Sequence, residues 1–226
     1  MVGASMTADL RHIDVWLFDL DNTLYPPETA FMGLIEARMT DFVARHVGLS
    51  HDDAHALQKR YYRELGTTLA GLMAHHGVRP EDYLDDVHDV PLDSLTPDPD
   101  LAAAIHRLPG RRLVFTNGDA RHAARVLDRL GLASAFEDVF HIASADYVPK
   151  PDPATFERLI KAHAIAPRAA AFFEDSEKNL APAAVLGMTT ILVGPHAEAS
   201  TAPFVHHRTH KLAPFLNAAR VMETAA

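Results

Sequence analysis

The sequence predicts an α/β fold: a Rossmann-like parallel sheet with helices on both faces, plus a small all-α module. Three observations predict it. Short, wholly apolar runs rich in strand formers recur along the chain. Amphipathic helical stretches precede each of the later runs. One block near the N-terminus carries helical periodicity and no convincing strand.

The first strand is "VWLF", Val15–Phe18, whose unbroken apolar character suits a strand buried on both faces. Runs of the same type follow at Arg112–Gly118, Val139–Ser144, Ala170–Ser176 and around Thr190 to Gly194. The helical stretches between them are Pro99–Leu108, Ala120–Leu132, Asp152–Ile165 and Lys178–Met188. Residues 26–90 differ: Phe31, Leu34, Ile35, Met39, Phe42 and Val43 recur at helical spacing. Ser50 ahead of Asp52 and Asp53 is an expected helix N-cap, and Gly48, Gly66 and Gly77 mark helix ends. Residues 1–25 and 91–226 are therefore expected to form the α/β unit and 26–90 a helical insert, with Pro91–Pro99 as the return linker. Tyr25 and Pro26 sit where the first hinge is expected.

The chain has 226 residues, 48% of them hydrophobic, enough for one sizeable core and a smaller attached unit. A net charge of −9 argues against nucleic acid or an anionic membrane as a partner held by bulk electrostatics. The absence of Cys removes disulfides, thiol catalysis and zinc–thiolate sites. The first residues lack the apolar stretch of a signal peptide, and no apolar run is long enough to span a bilayer. A soluble, cytoplasmic protein is the expectation.

In an open parallel sheet, ligands bind beyond the carboxyl ends of the strands. Polar residues fall there repeatedly: Asp19, Asp21 and Thr23; Thr116, Asn117, Gly118 and Asp119; Lys150; then Glu174, Asp175, Ser176 and Asn179. Each group alone reads as turn or capping chemistry. Their joint occurrence in order points instead to one crevice. Four carboxylates converging there would raise one another's pKa, and a hard divalent cation, best Mg²⁺, removes the conflict.

These residues resemble the haloacid dehalogenase-like (HAD) superfamily of phosphohydrolases over nearly the whole chain. "FDLDNTLY", "FTNGD", "KPDP" and "FFEDSEKN" match its four motifs, and the insert resembles the family's small α-helical cap. Within the superfamily, "LFDLDNTLYP", "YYRELGTTLAGL" and "FTNGDARHAARVLDRLGL" are most similar to the pyrimidine 5′-nucleotidase branch.

The resemblance implies a Mg²⁺-dependent phosphomonoesterase acting on a small phosphorylated substrate, with a nucleoside monophosphate as the narrower expectation. It makes Asp19 the nucleophile and Asp21 the general acid and base. Thr116 and the Asn117 amide, with Gly118 in the same loop, would hold phosphate oxygens, and Lys150 would neutralise charge. Asp19, the Asp21 carbonyl and Asp175 would hold the metal. Glu174 departs from the common two-Asp form of the fourth motif and is either a ligand or a partner through water. Ser176 and Asn179 are expected to orient Lys150 and the motif loop rather than touch substrate. Tyr62, Thr67 and Thr68, with Gly66, are the expected substrate contacts from the cap; helix packing for Tyr61 or Tyr62 and N-capping for Thr67 are the alternatives. Halide leaves without a proton, so an acid at Asp21 favours phosphoryl chemistry over dehalogenation. A phospho-accepting signalling module and a phosphomutase of the same fold remain the competing functions. The chain's 15 histidines are read as solvated or capping residues, among them His75, His76, His206, His207 and His210.

Overall fold

The computed structural model describes residues 7–222. Its centre is a six-stranded parallel sheet: β1 (Val15–Phe18), β2 (Arg111–Phe115), β3 (Asp138–Phe140), β4 (Ala170–Glu174), β5 (Thr189–Val193) and β6 (His207–Thr209). The strand order is β3-β2-β1-β4-β5-β6, with β1 paired in parallel to both β2 and β4. The direction of winding reverses between β1 and β4, which opens a crevice at their carboxyl ends.

The alternation of β1 explains why the strand is apolar throughout. Trp16 and Phe18 enter one apolar layer and Val15 and Leu17 the opposite one, all of them buried. On the first face Phe18 stacks on Phe173, with ring centroids 4.6 Å apart. Helices α5 (Pro99–His106), α6 (Ala120–Arg129) and α9 (Leu212–Ala218) close that layer with Leu101, Ile105, Val126, Leu127 and Leu216. On the second face α7 (Pro153–His163) and α8 (Glu177–Val185) supply Phe156, Leu159, Leu180 and Ala183.

Between β1 and β2 the chain leaves the sheet to form α1 (Phe31–Val47), α2 (His51–Leu65), α3 (Thr68–His76) and α4 (Pro80–Val87). The expected punctuation is present. Ser50 Oγ accepts from the Asp53 amide, and Gly48 and Gly77 end helices with positive φ. These helices share an apolar cluster around Phe42, Val43, Tyr61, Leu72, Tyr83 and Val87.

Three stretches differ from the sequence reading. The run expected as a strand over Val139–Ser144 pairs only as Asp138–Phe140; from Ile142 it turns, because the Ile142 amide donates to the Gly118 carbonyl and its side chain joins the helical cluster. The C-terminal part contains α9 and the edge strand β6, neither of them expected. His206 and His210 are exposed, as expected, but the segment between them is built into the sheet and His207 is half-buried. His207 pairs with Ile191, and His206 Nδ1 lies 2.7 Å from the buried Thr190 hydroxyl. Edge strands carry polar side chains, so the apolar signature used elsewhere was missing.

Gly71 in α3 lies against the face of the Tyr61 ring in α2, so that a Cβ there would overlap ring carbons. Helix propensity alone would favour alanine by about 1 kcal/mol. Overpacking costs typically about 1–3 kcal/mol and opposes it. Gly71→Ala is expected to be net destabilising in chemical denaturation; an unchanged or raised midpoint would contradict the packing of α2 on α3.

Candidate active site

The buried carboxylate of Asp19 follows β1 directly, its amide donating to the Phe173 carbonyl as the last rung towards β4 (2.9 Å). Its Oδ1 lies 2.7 Å from Lys150 Nζ, and its Oδ2 accepts from the Thr23 hydroxyl (3.1 Å). Lys150, only 1% exposed, spends its three donors on Asp19, on Glu174 Oε2 (2.7 Å) and on the Phe115 carbonyl (2.8 Å). β1, β2 and β4 thus each end on one ammonium group. Asn117 brackets the Lys150 backbone: its Oδ1 accepts from the Lys150 amide (2.8 Å) and its Nδ2 donates to the Lys150 carbonyl (3.2 Å).

This arrangement corrects one expectation. Ser176 and Asn179 make no hydrogen bond to Lys150; Glu174, Asp19 and Asn117 orient it. The Ser176 amide instead donates to Glu174 Oε1 (3.1 Å). Thr116 Oγ1 accepts from the Gly118 amide (2.9 Å). Gly118 itself is packed closely: a Cβ there would stand 3.0 Å from His122 Cδ2 and 3.7 Å from Asp21 Oδ2.

Asp19, Glu174 and Asp175 each present a carboxylate oxygen within 4.8 Å of the others. Three carboxylates against one ammonium leave two negative charges uncompensated. Burial and the neighbouring Glu174 charge push Asp19 up despite Lys150, and burial with Glu174 and Asp19 pushes Asp175 up to about 9. Asn22 Oδ1 and Asn179 Oδ1 are buried without a partner beside the same cavity. Hard oxygen donors, excess negative charge and unpaired acceptors together fit a divalent cation with oxygen ligands. For Lys150, burial alone would lower the pKa, but Asp19 and Glu174 outweigh it and hold the ammonium charged.

Asp21 takes a different environment. Its Oδ1 accepts from Tyr25 OH (2.7 Å) and lies 2.8 Å from His122 Nε2. Burial would raise its pKa, but His122 and Tyr25 bring it down to about 2. His122 is raised in turn: burial opposes its charge, and Asp21 more than compensates. Its ring stacks on His88, centroids 4.1 Å apart, and His88 Nδ1 lies 2.6 Å from Asp119 Oδ2. Asp119 was expected at the strand end but given no role, and His122 and His88 were not among the expected site residues. One available signal was positional: Asp119 N-caps α6 and His122 falls in its first turn, at the carboxyl end of the sheet.

A cavity of about 280 Å³ joins these groups to the helical insert. Asp19, Asp21, Thr116, Asn117, Gly118, Lys150, Glu174 and Asp175 line it from the sheet; Tyr62, Gly66, Thr67 and Thr68 line it from the insert, with Met32, Ile35 and Met39. Thr67 also caps α3, accepting from the Ala70 amide (3.1 Å), so both readings of that residue hold. Tyr61 is the packed tyrosine, whereas Tyr62 is exposed and lies under Lys178, whose Nζ is 3.7 Å from the ring centroid. No helix among the described residues is long and apolar enough to cross a membrane.

Known proteins resemble this chain in sequence and in fold. The sequence is 29% identical over 196 residues to Phosphate metabolism protein 8 of Saccharomyces cerevisiae, covering 79% of this chain and 60% of that protein's length. Its fold is similar to a HAD phosphatase from Thermococcus onnurineus (TM-score 0.62, 19% identity, 92% of this chain and 100% of the other). It is also similar to a 2-haloacid dehalogenase from Pseudomonas syringae (TM-score 0.58, 22% identity, 91% and 97%) and to the magnesium-bound HAD-hydrolase YfnB of Bacillus subtilis (TM-score 0.57, 15% identity, 91% and 97%). At these identities the structural likeness is one of fold, and it spans two chemistries. The family model described as haloacid dehalogenase-like hydrolase matches residues 13–187, well over half of the sequence, and the chain belongs to that family.

Proposed function

We propose that this hydrolase is a Mg²⁺-dependent phosphomonoesterase working through an aspartyl phosphate. The observation that carries the reading is Asp21: a second carboxylate at the mouth of the same cavity, with one oxygen tied to Tyr25 and His122. A halide departs with its electron pair and needs no acid, whereas an alkoxide leaving group does.

In the first step an Asp19 oxygen attacks phosphorus and a new P–O bond forms. The bond to the ester oxygen breaks, its electron pair stays on that oxygen, and a proton from Asp21 completes the alcohol. The negative phosphoryl group arriving beside Asp21 raises that carboxyl's proton affinity, which the free site holds low. In the second step Asp21 takes a proton from water, which attacks the acyl phosphate and regenerates Asp19. Lys150 stays charged next to Asp19 throughout, and Thr116 with the Asn117 amide is placed to meet the phosphoryl oxygens. Asp19, Asp175, Glu174 and the Asp21 carbonyl would hold Mg²⁺, which when bound neutralises the acidic cluster and the phosphoryl charge.

Residues 26–90 act, in this reading, as a cap over a core of 1–25 and 91–226, excluding water and reading the leaving group. Tyr62, Thr67 and Thr68 face the cavity from that side. A nucleoside monophosphate is the proposed substrate class. The likeness to Phosphate metabolism protein 8 supports a phosphate substrate, and the sequence resemblance supports the nucleotide.

A panel of nucleotides, sugar phosphates and small carboxylated phosphates, scored by released phosphate, tests the function. Turnover of at least one monoester is expected; no turnover, or a stable phosphoprotein, defeats the reading. Asp19→Asn should lower kcat by about three orders of magnitude or more, since a nucleophile acts as part of a unit. Excess chelator should abolish phosphate release and added Mg²⁺ restore it. Either variant or chelated enzyme retaining full activity would contradict the mechanism.

The acidic cluster also makes stability depend on pH. Asp19 and Asp175 hold protons to higher pH in the folded chain than in the unfolded one, where carboxylates titrate near pH 4. Folded protein therefore binds more protons between about pH 4 and about pH 9, and metal-free stability falls as pH rises through that window. The melting temperature without metal is expected to be lower at pH 8 than at pH 5, and Mg²⁺ should raise it more at pH 8. An equal response at both values would remove the cluster as the metal site.

A further inference from the structure

His122 is 1% exposed, and two rings from the segments flanking the insert stack with its own. Phe31, at the start of α1, stacks parallel to one face (centroids 6.0 Å apart, interplanar angle 1°). His88, just past α4, stacks on the histidine at 4.1 Å and is tied to Asp119 at 2.6 Å. Phe31 lies on the segment that enters the helical insert and His88 on the segment that leaves it. Arg125, one turn along α6 from His122, donates to the carbonyls of His88 (2.9 Å) and Val90 (3.0 Å), which fixes the return segment. Burial and these two ring contacts restrict rotation of the imidazole.

That fixed ring ends at Asp21. Nε2 and the Tyr25 hydroxyl both sit on Oδ1, so Oδ2 is left towards the cavity side, near Gly118. A carboxylate hinged only at Cβ–Cγ would otherwise sweep a broad range of orientations. We propose that His122 is a positioning residue for Asp21, holding Oδ1 so that Oδ2 is aimed to take the proton of the water that attacks the aspartyl phosphate. His122 touches neither substrate nor phosphorus. The inference rests on the phosphomonoesterase reading above, and it adds that the seating of the insert sets the base, since both of its chain crossings hold the ring.

The test separates the two half-reactions. With an activated aryl phosphate, whose leaving group needs no proton, kcat/KM reports formation of the phosphoenzyme, and acid-quench trapping reports how much accumulates. For His122→Ala, kcat should fall about tenfold or more, a part of the ~10²–10⁴ that proton transfer supplies. Its kcat/KM on that ester should stay within about threefold, and the trapped phosphoenzyme fraction should rise. Tyr25→Phe, which removes the other donor and keeps the ring, should shift the balance the same way if His122→Ala does not fold. His122→Gln, retaining an N–H donor, should recover part of kcat. Parallel losses in kcat and kcat/KM without accumulation, or no change in either, would overturn the inference. A wild type that turns over no monoester defeats the phosphomonoesterase reading instead. NMR of the ¹⁵N-labelled imidazoles then decides the positioning alone: a protected His122 Nε2–H that is perturbed by Asp21→Asn supports it, and its absence overturns it.

Discussion

The arrangement depends on one buried ammonium. Lys150 has no route to solvent, so its charge survives only because three acceptors from three strands meet it: Asp19 after β1, the Phe115 carbonyl at the end of β2 and Glu174 at the end of β4. Burying such a charge costs several kcal/mol unless every donor is paired. Here every donor is paired, with Phe115 and Phe172 rings beside the group at 4.9 and 5.3 Å. The consequence is geometric. Strand register, set by Trp16, Phe18 and Phe173 in the layer below, determines where Asp19 can point.

The acidic cluster follows from the same constraint. Lys150 balances one carboxylate of the three around it, and the remaining charge stands at the mouth of the crevice, where Asp175 is partly exposed. An apolar core two residues away cannot screen that charge. The electrostatic demand for a cation is therefore a product of how tightly the sheet packs beneath the site. Asp21 lines the same cavity but its Oδ1 is held by Tyr25 and His122, which favour its charged form. Two carboxylates two residues apart thus acquire opposite pKa shifts from their surroundings.

Much of this was legible in the sequence. A parallel strand buried on both faces must be apolar along its length, so β1, β2, β4 and β5 announce themselves, and the residue after each must be polar if it meets a ligand. Asp19, Thr116 and Glu174–Asp175 were found on that rule and converge with Lys150, which comes from the loop ten residues past β3. The rule fails where burial is one-sided. β6 carries His207, Arg208 and Thr209 at the sheet edge and leaves no apolar run to find. The expectation that Ser176 and Asn179 orient Lys150 came from the family resemblance and failed because Lys150 spends its donors on Asp19, Glu174 and the Phe115 carbonyl; within the motif loop the Ser176 amide does hold Glu174.

What the sequence by itself determined is the layered fold, the helical insert and the polar residues at the strand ends, because these follow from periodicity and from local chain geometry. Only the tertiary structure decided that Asn117 brackets Lys150, that Thr67 both caps a helix and faces the cavity, and that His122 stacks with Phe31 and His88 and meets Asp21. Each of those relations joins segments far apart in the chain through side-chain packing. Packing depends on where elements dock in space, and no pattern of spacing along one strand or helix encodes it.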